Sequence, residues 1–212
     1  MLVRSKWQSL PTEAINPSTL AIDKLPPAEI VESMLNEDRK MLAAVQREKE
    51  RIAVGIEIIT QALRHGGRIV FVGAGTSGRL GVVESAEMPP TFGTNPDLVL
   101  AVMAGGKDAI LRPKEGVEDN YEEGARSINR LRPTKKDVVI GVSASGMTPF
   151  VRGGLTRARR AGSCAWASAR TVTRPRCGWK TTAPVSTTTR RPEFSTPSTR
   201  HARTARASAL LW

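Results

Sequence analysis

Three short apolar runs rich in β-branched residues punctuate the first two thirds of the chain. They are Ile69-Val70-Phe71-Val72, Leu98-Val99-Leu100-Ala101-Val102-Met103 and Val138-Val139-Ile140-Gly141-Val142. Runs of this length with no polar alternation read as strands buried on both faces. Between them the pattern changes to helical spacing. Pro26-Pro27 opens a helical stretch, because proline is tolerated in a first turn. Its apolar positions Ile30, Met34, Met41 and Val45 predict two helices broken near Asn36. Ile52, Ile56, Ile59 and Leu63 then recur at intervals of four, three and four, which predicts one apolar stripe ending at His65-Gly66-Gly67. A helix is expected over Gly78–Met88, capped by Thr76 or Ser77, stopped by Pro89-Pro90 and followed by a loop from Thr91 to Asp97. Further helical stretches are expected over Lys107–Arg112, from after Asn120 to Leu131, and from Thr148-Pro149 to Ala161. Strand, turn and helix alternate, so the fold class is α/β, a three-layer arrangement with helices on both faces of a parallel sheet.

Beyond Gly162 this grammar stops. Residues 162–212 contain 16 Ser or Thr and nine Lys or Arg, and only Val172 and Val185 are β-branched aliphatics. No run there has the apolar content of a central strand, and the stretch is expected to be a disordered basic tail. The charge follows the same division. The net charge of +12 arises entirely beyond residue 150, where 13 basic residues face the single acid Glu193. The expected organisation is therefore an N-terminal arm with helices over 1–50, an α/β domain over 51–161 and the tail over 162–212. A basic tail gives salt-sensitive affinity for nucleic acid, but no recognition module accompanies it, so no specific nucleic-acid partner is expected. The two cysteines, Cys164 and Cys177, match no metal spacing and imply no disulfide. There is no apolar run long enough to span a membrane, and the first residues lack the apolar core of a signal peptide, so a cytoplasmic location is expected.

The candidate chemistry lies where strands end. Gly73-Ala74-Gly75-Thr76-Ser77-Gly78 follows the first strand and opens a helix. Glycines let backbone approach a ligand, and free amides at a helix start attract anions. Ser143-Ala144-Ser145-Gly146-Met147-Thr148-Pro149 follows the third strand with more hydroxyls. Capping accounts for Thr76 or Thr148 singly, but not for five hydroxyls in two turns at one end of a sheet. Together they suit a phosphate monoester. The first turn also fits the GxGxxG pattern of dinucleotide-binding folds. That reading requires an acid at the end of the second strand, where this chain has Ala104-Gly105-Gly106; Asp97 precedes the strand, at its opposite end.

Gly73-Ala-Gly-Thr-Ser-Gly-Arg-Leu-Gly81 and Ser143-Ala-Ser-Gly-Met-Thr-Pro149 resemble the paired signatures of a sugar isomerase (SIS) domain. Glu87-Met-Pro-Pro-Thr-Phe-Gly93, Ala104-Gly-Gly106, Glu115-Gly-Val-Glu-Asp119 and the arm Thr12-Glu-Ala-Ile-Asn16 resemble a narrower family, the N-acetylmuramic acid 6-phosphate etherases. The resemblance runs from about residue 10 to about residue 161 and then stops, whereas members of that family continue. The change in composition at that point is what a coding sequence read out of frame would give, and the chain is read as a truncated member with an aberrant tail. The resemblance implies a carbon–oxygen lyase that removes D-lactate from N-acetylmuramate 6-phosphate by elimination and then adds water. It implies no cofactor and no metal, a homodimer, and a role in the recycling of cell-wall sugars. It assigns Glu87 as proton donor and Glu118 as second acid/base. It places Gly75, Thr76, Ser77, Gly78, Ser143, Ser145, Gly146 and Thr148 around the phosphate and sugar. The same domain occurs in the animal glucokinase regulatory protein, so a non-catalytic sugar-phosphate-binding module is the alternative.

Overall fold

The computed structural model describes residues 11–168. Short 3-10 turns at Pro11–Glu13, Pro17–Thr19 and Ile22–Lys24 lead into two helices, α1 (Pro27–Arg47) and α2 (Lys49–Arg64). β1 (Ile69–Gly73), α3 (Gly75–Phe92) and β2 (Val99–Met103) come next, followed by α4 (Asp108–Leu111), α5 (Tyr121–Arg130), β3 (Val138–Val142), α6 (Pro149–Arg160) and β4 (Cys164–Ser168). The four strands form one parallel sheet in the order β2-β1-β3-β4. The α/β class and the parallel sheet expected from the apolar runs are present.

Side chains alternate across the strands, and each face takes a different pair of helices. Val70, Val72 and Val139 pack on one face with Ile128 of α5 and with Phe150, Val151 and Ala158 of α6. On the other face, Ile58 and Ala62 of α2 pack on Val138 with Ile140 alongside. α3 also lies on this second face, close enough that a side chain at Gly81 would collide with Phe71. α5 and α6 meet almost backbone to backbone. A methyl at Gly124 would overlap the Phe150 carbonyl, and one at Gly153 would overlap that of Tyr121.

The amino ends of β1 and β3 are pinned together by an ion pair between the partly exposed Arg68 and the buried Asp137. Asp137, only 2% exposed, accepts from Arg68 Nη2 at 2.9 Å, from the Arg68 amide at 2.9 Å and from the Thr134 amide at 2.8 Å. Burial alone would raise this carboxyl. The Arg68 guanidinium and the two amides outweigh burial and hold it below the usual carboxylate range. Both strands therefore leave one fixed point and carry their turns to the opposite end of the sheet.

Four local expectations are corrected. α1 is one unbroken helix through Asn36, whose amide side chain receives Arg39 Nη1 one turn on. The inward face of α2 is Gly55, Ile58 and Ala62, while Ile52 and Ile56 of the expected stripe point outward, Ile56 being 60% exposed. α3 starts at Gly75 rather than Gly78 and passes through Pro89 and Pro90 to Phe92. Its stop is Gly93, in the left-handed conformation with its amide on the Pro89 carbonyl. Finally, β4 falls within the stretch expected to hold no strand. It pairs with β3, Val138 against Cys164 through Val142 against Ser168, and is the last strand of the sheet among the described residues. The rest of the predicted tail, from 169 on, lies outside the described residues.

Candidate functional site

A cavity of about 330 Å³ opens at the carboxyl end of the sheet. Ala74 and Gly75 from the first turn and Thr148 from the second contribute to its wall, with Ala104 after β2 and Glu118 from the loop before α5. Open parallel sheets place ligands at this end of their strands.

The first turn presents donors with nothing to hold. Neither Thr76 nor Ser77 caps α3; the cap position is Ala74, which has no side chain able to do so. Both residues lie in the first turn of the helix, where backbone amides have no intrahelical acceptor. Ladder bonding begins at Gly78, whose amide donates to the Ala74 carbonyl at 3.2 Å. Among the described residues, the amides of residues 75–77 and two hydroxyls are thus uncommitted at the positive end of an 18-residue helix. Gly78 itself is buried and contributes no free amide. Its lack of a side chain lets α3 approach the Gly73 carbonyl and Met103.

The second turn is wired to itself. Ser143, buried beneath it, shares a hydrogen bond with the Thr148 hydroxyl at 2.8 Å and accepts the Gly146 amide at 3.1 Å. Ser145 accepts the Met147 amide at 3.1 Å. Gly146 takes φ 68°, a conformation that permits this tight turn without side-chain strain. Thr148 precedes α6 but makes no capping bond, because its hydroxyl is turned to Ser143. The expectation that Thr76 or Ser77 caps α3 therefore fails, whereas Thr148 stands at the expected N-cap position of α6 but without a side-chain capping bond.

The two catalytic candidates are not together. Glu118 is half-buried on the cavity wall, and its carbonyl accepts the Phe150 amide at 2.9 Å, which ties it to the start of α6 just past Thr148. Glu87 is exposed on α3, does not line the cavity, and lies twelve residues past Gly75, roughly 18 Å along the helix axis. Two residues not singled out from sequence also line the cavity, Arg79 and Lys114. Arg79 donates from Nε to the Ile110 carbonyl at 2.7 Å and from Nη2 to that of Ala109 at 2.8 Å. Its place inside the glycine string, and that of Lys114 just before Glu115, were the available signals.

Known proteins give this geometry a family. The family model described as the glucokinase regulatory protein N-terminal SIS domain matches residues 51–159, which takes in both turns and the cavity. Among curated relatives, the N-acetylmuramic acid 6-phosphate etherase of Rippkaea orientalis is 48% identical over 152 residues, covering 72% of this chain and 50% of the relative. The protein of the same name from Clostridium acetobutylicum is 44% identical over 158 residues, covering 74% of this chain and 52% of the relative. The chain spans about half the length of the curated relatives it matches. A solved structure, phosphoheptose isomerase from Neisseria gonorrhoeae, superposes with a TM-score of 0.51 at 20% identity, over 66% of this chain and 72% of that one, and shares the fold. With its matched segment holding β1 to α6, the chain belongs to the family of SIS domains described by the N-terminal SIS domain of the glucokinase regulatory protein.

Proposed function

We propose that the cavity binds a 6-phosphorylated amino sugar and that the chain is the sugar-phosphate-binding part of an N-acetylmuramic acid 6-phosphate etherase. The observation that carries this reading is the meeting of three residues on one cavity wall: Gly75, which opens the amide-bearing turn after β1, Thr148 of the wired turn after β3, and Glu118. The names of the curated relatives support it. In this reading the phosphate sits over residues 75–77 and the hydroxyls of the second turn, and the ring extends towards Glu118. Elimination across C2–C3 breaks the C3–O bond of the ether. A carboxylate takes the C2 proton, the lactate oxygen is protonated as it leaves, and water then adds to the resulting double bond. In this reading Glu118, on the cavity wall, makes one of these proton transfers.

Glu87 requires more than one chain. It would serve the cavity only from a neighbouring copy, and α1 supplies a surface for such a copy. α1 has no buried residue, and Val31, Met34, Leu35, Met41, Leu42 and Val45 are exposed along it. Apolar exposure on this scale suits an interface. The homodimer is thus part of the proposal, as is a cytoplasmic location. No helix among the described residues is long and apolar enough to cross a membrane.

The position of Glu87 outside the cavity favours the second reading, a non-catalytic module that binds sugar phosphates. Release of D-lactate from N-acetylmuramate 6-phosphate decides between them. Release that falls at least about a hundredfold in Glu118→Gln and in Glu87→Gln supports the lyase. Saturable binding with no release supports the module. Absence of binding removes both.

A further inference from the structure

The cavity wall carries two cations that a phosphate held over the two turns does not use. Arg79 stands on the second turn of α3. Its guanidinium is fixed by two neutral acceptors, the carbonyls of Ala109 and Ile110, which set its plane without cancelling its charge. Lys114 reaches the same wall from the loop after α4. Its stem lies over Gly105, where an added methyl would come within 3.2 Å of the Lys114 Cδ and where φ is 81°. Lys114 thereby lies near the carboxyl end of β2, one strand across from the first turn. Among the described residues neither cation has a carboxylate within ion-pair distance. Glu115 and Glu118 share the cavity, so an anionic substituent entering beside them needs an offsetting positive charge.

A planar, pre-oriented guanidinium beside a flexible ammonium suits a planar carboxylate, whose two oxygens can be shared between them. We propose that Arg79 and Lys114 form a carboxylate subsite that holds the lactyl carboxylate of the substrate. The cavity then selects a sugar bearing two anions, a phosphate on the hydroxyl turns and a carboxylate on the cationic wall, over a plain sugar phosphate. The proposal rests on the sugar-phosphate reading above and adds to it the element that discriminates between related ligands.

Calorimetric titration of the full chain tests it without turnover, in a Glu118→Gln background so that no ligand is consumed. Three ligands are compared: N-acetylmuramate 6-phosphate, its lactyl methyl ester, which keeps the bulk and loses the charge, and N-acetylglucosamine 6-phosphate, which lacks the lactyl group. The first is expected to bind about tenfold or more tightly than the other two. Lys114→Met, a change at an exposed side chain, should bring the three affinities within about threefold of one another. Arg79→Met should do the same, with its melting curve reporting whether α4 stays anchored. Equal affinities before substitution, a preference that survives Lys114→Met, or an equal fall for all three ligands would overturn the carboxylate subsite while leaving the sugar-phosphate reading intact. Binding of none of the three would overturn both.

Discussion

The turns after β1 and β3 contribute to the same cavity, yet they are built on opposite plans. The first takes its shape from backbone packing. Gly73, Gly78 and Gly81 let α3 press against the strands, and the amides of residues 75–77 and the hydroxyls of Thr76 and Ser77 have no partner among the described residues. The second takes its shape from side chains. Ser143 gathers Thr148 and Gly146 around one buried hydroxyl, and Ser145 holds Met147. The first turn therefore keeps its donors available, while the second commits most of them to its own rigidity. One offers charge complementarity to an anion, and the other offers a wall that is already in place.

The largest expected effect breaks the first plan at its root. In Gly73→Ala the new methyl would come within 2.8 Å of the Gly78 amide nitrogen and Cα, which are backbone atoms with no freedom to rotate away. A loss of about 3 kcal/mol in urea unfolding is expected, with loss of sugar-phosphate binding. Gly146→Ala in the second turn forces a side chain into the left-handed conformation at φ 68° and should cost about 1–2 kcal/mol.

Breaking the shared anchor comes next. Asp137→Asn leaves the partly exposed Arg68 without its counter-charge and should cost about 2–3 kcal/mol, disturbing both turns together because both strands start from this pair. The wild-type carboxyl is held below its usual range, so its contribution is complete above an unfolded value of about 3.9 and is lost as pH falls through the lower folded value. The wild-type melting temperature should then drop below about pH 4. Asp137→Asn should melt lower at neutral pH and lack this part of the acid dependence.

Paired hydroxyl deletions sharpen the contrast. Ser143→Ala strands the Gly146 amide and the Thr148 hydroxyl under a buried position only 7% exposed, and should cost about 1–3 kcal/mol of stability as well as ligand. Ser77→Ala removes a hydroxyl that has no partner among the described residues. Stability should stay within about 0.5 kcal/mol while affinity for N-acetylglucosamine 6-phosphate falls about tenfold. Equal stability losses at the two positions would show that the turns are not built differently.

The sequence disclosed what is determined locally or by burial on both faces. β1, β2 and β3 were legible because each must be apolar throughout, and the turns were legible because glycines and hydroxyls are spaced for them. Cys164–Ser168 was missed because its sequence, Cys-Ala-Trp-Ala-Ser, has no run of β-branched aliphatics, the signal by which the other three strands were read. α3 outran Pro89-Pro90 because its end is set by Gly93. The direction of Glu87 depends on which face of α3 meets the sheet, which spacing along the helix does not decide. The span from Arg79 to the carbonyls of Ala109 and Ile110 joins residues 30 and 31 apart, and the bond from Ser143 to Thr148 uses side chains that each looked suited to something else.

The most direct measurement is an amide chemical-shift titration of the full chain with N-acetylglucosamine 6-phosphate. If one phosphate docks over both turns, the amides of residues 75–77 and of 144–147 shift together and saturate with a single dissociation constant. Inorganic phosphate should compete at both. Shifts confined to one turn, or two unrelated dissociation constants, would contradict a shared site.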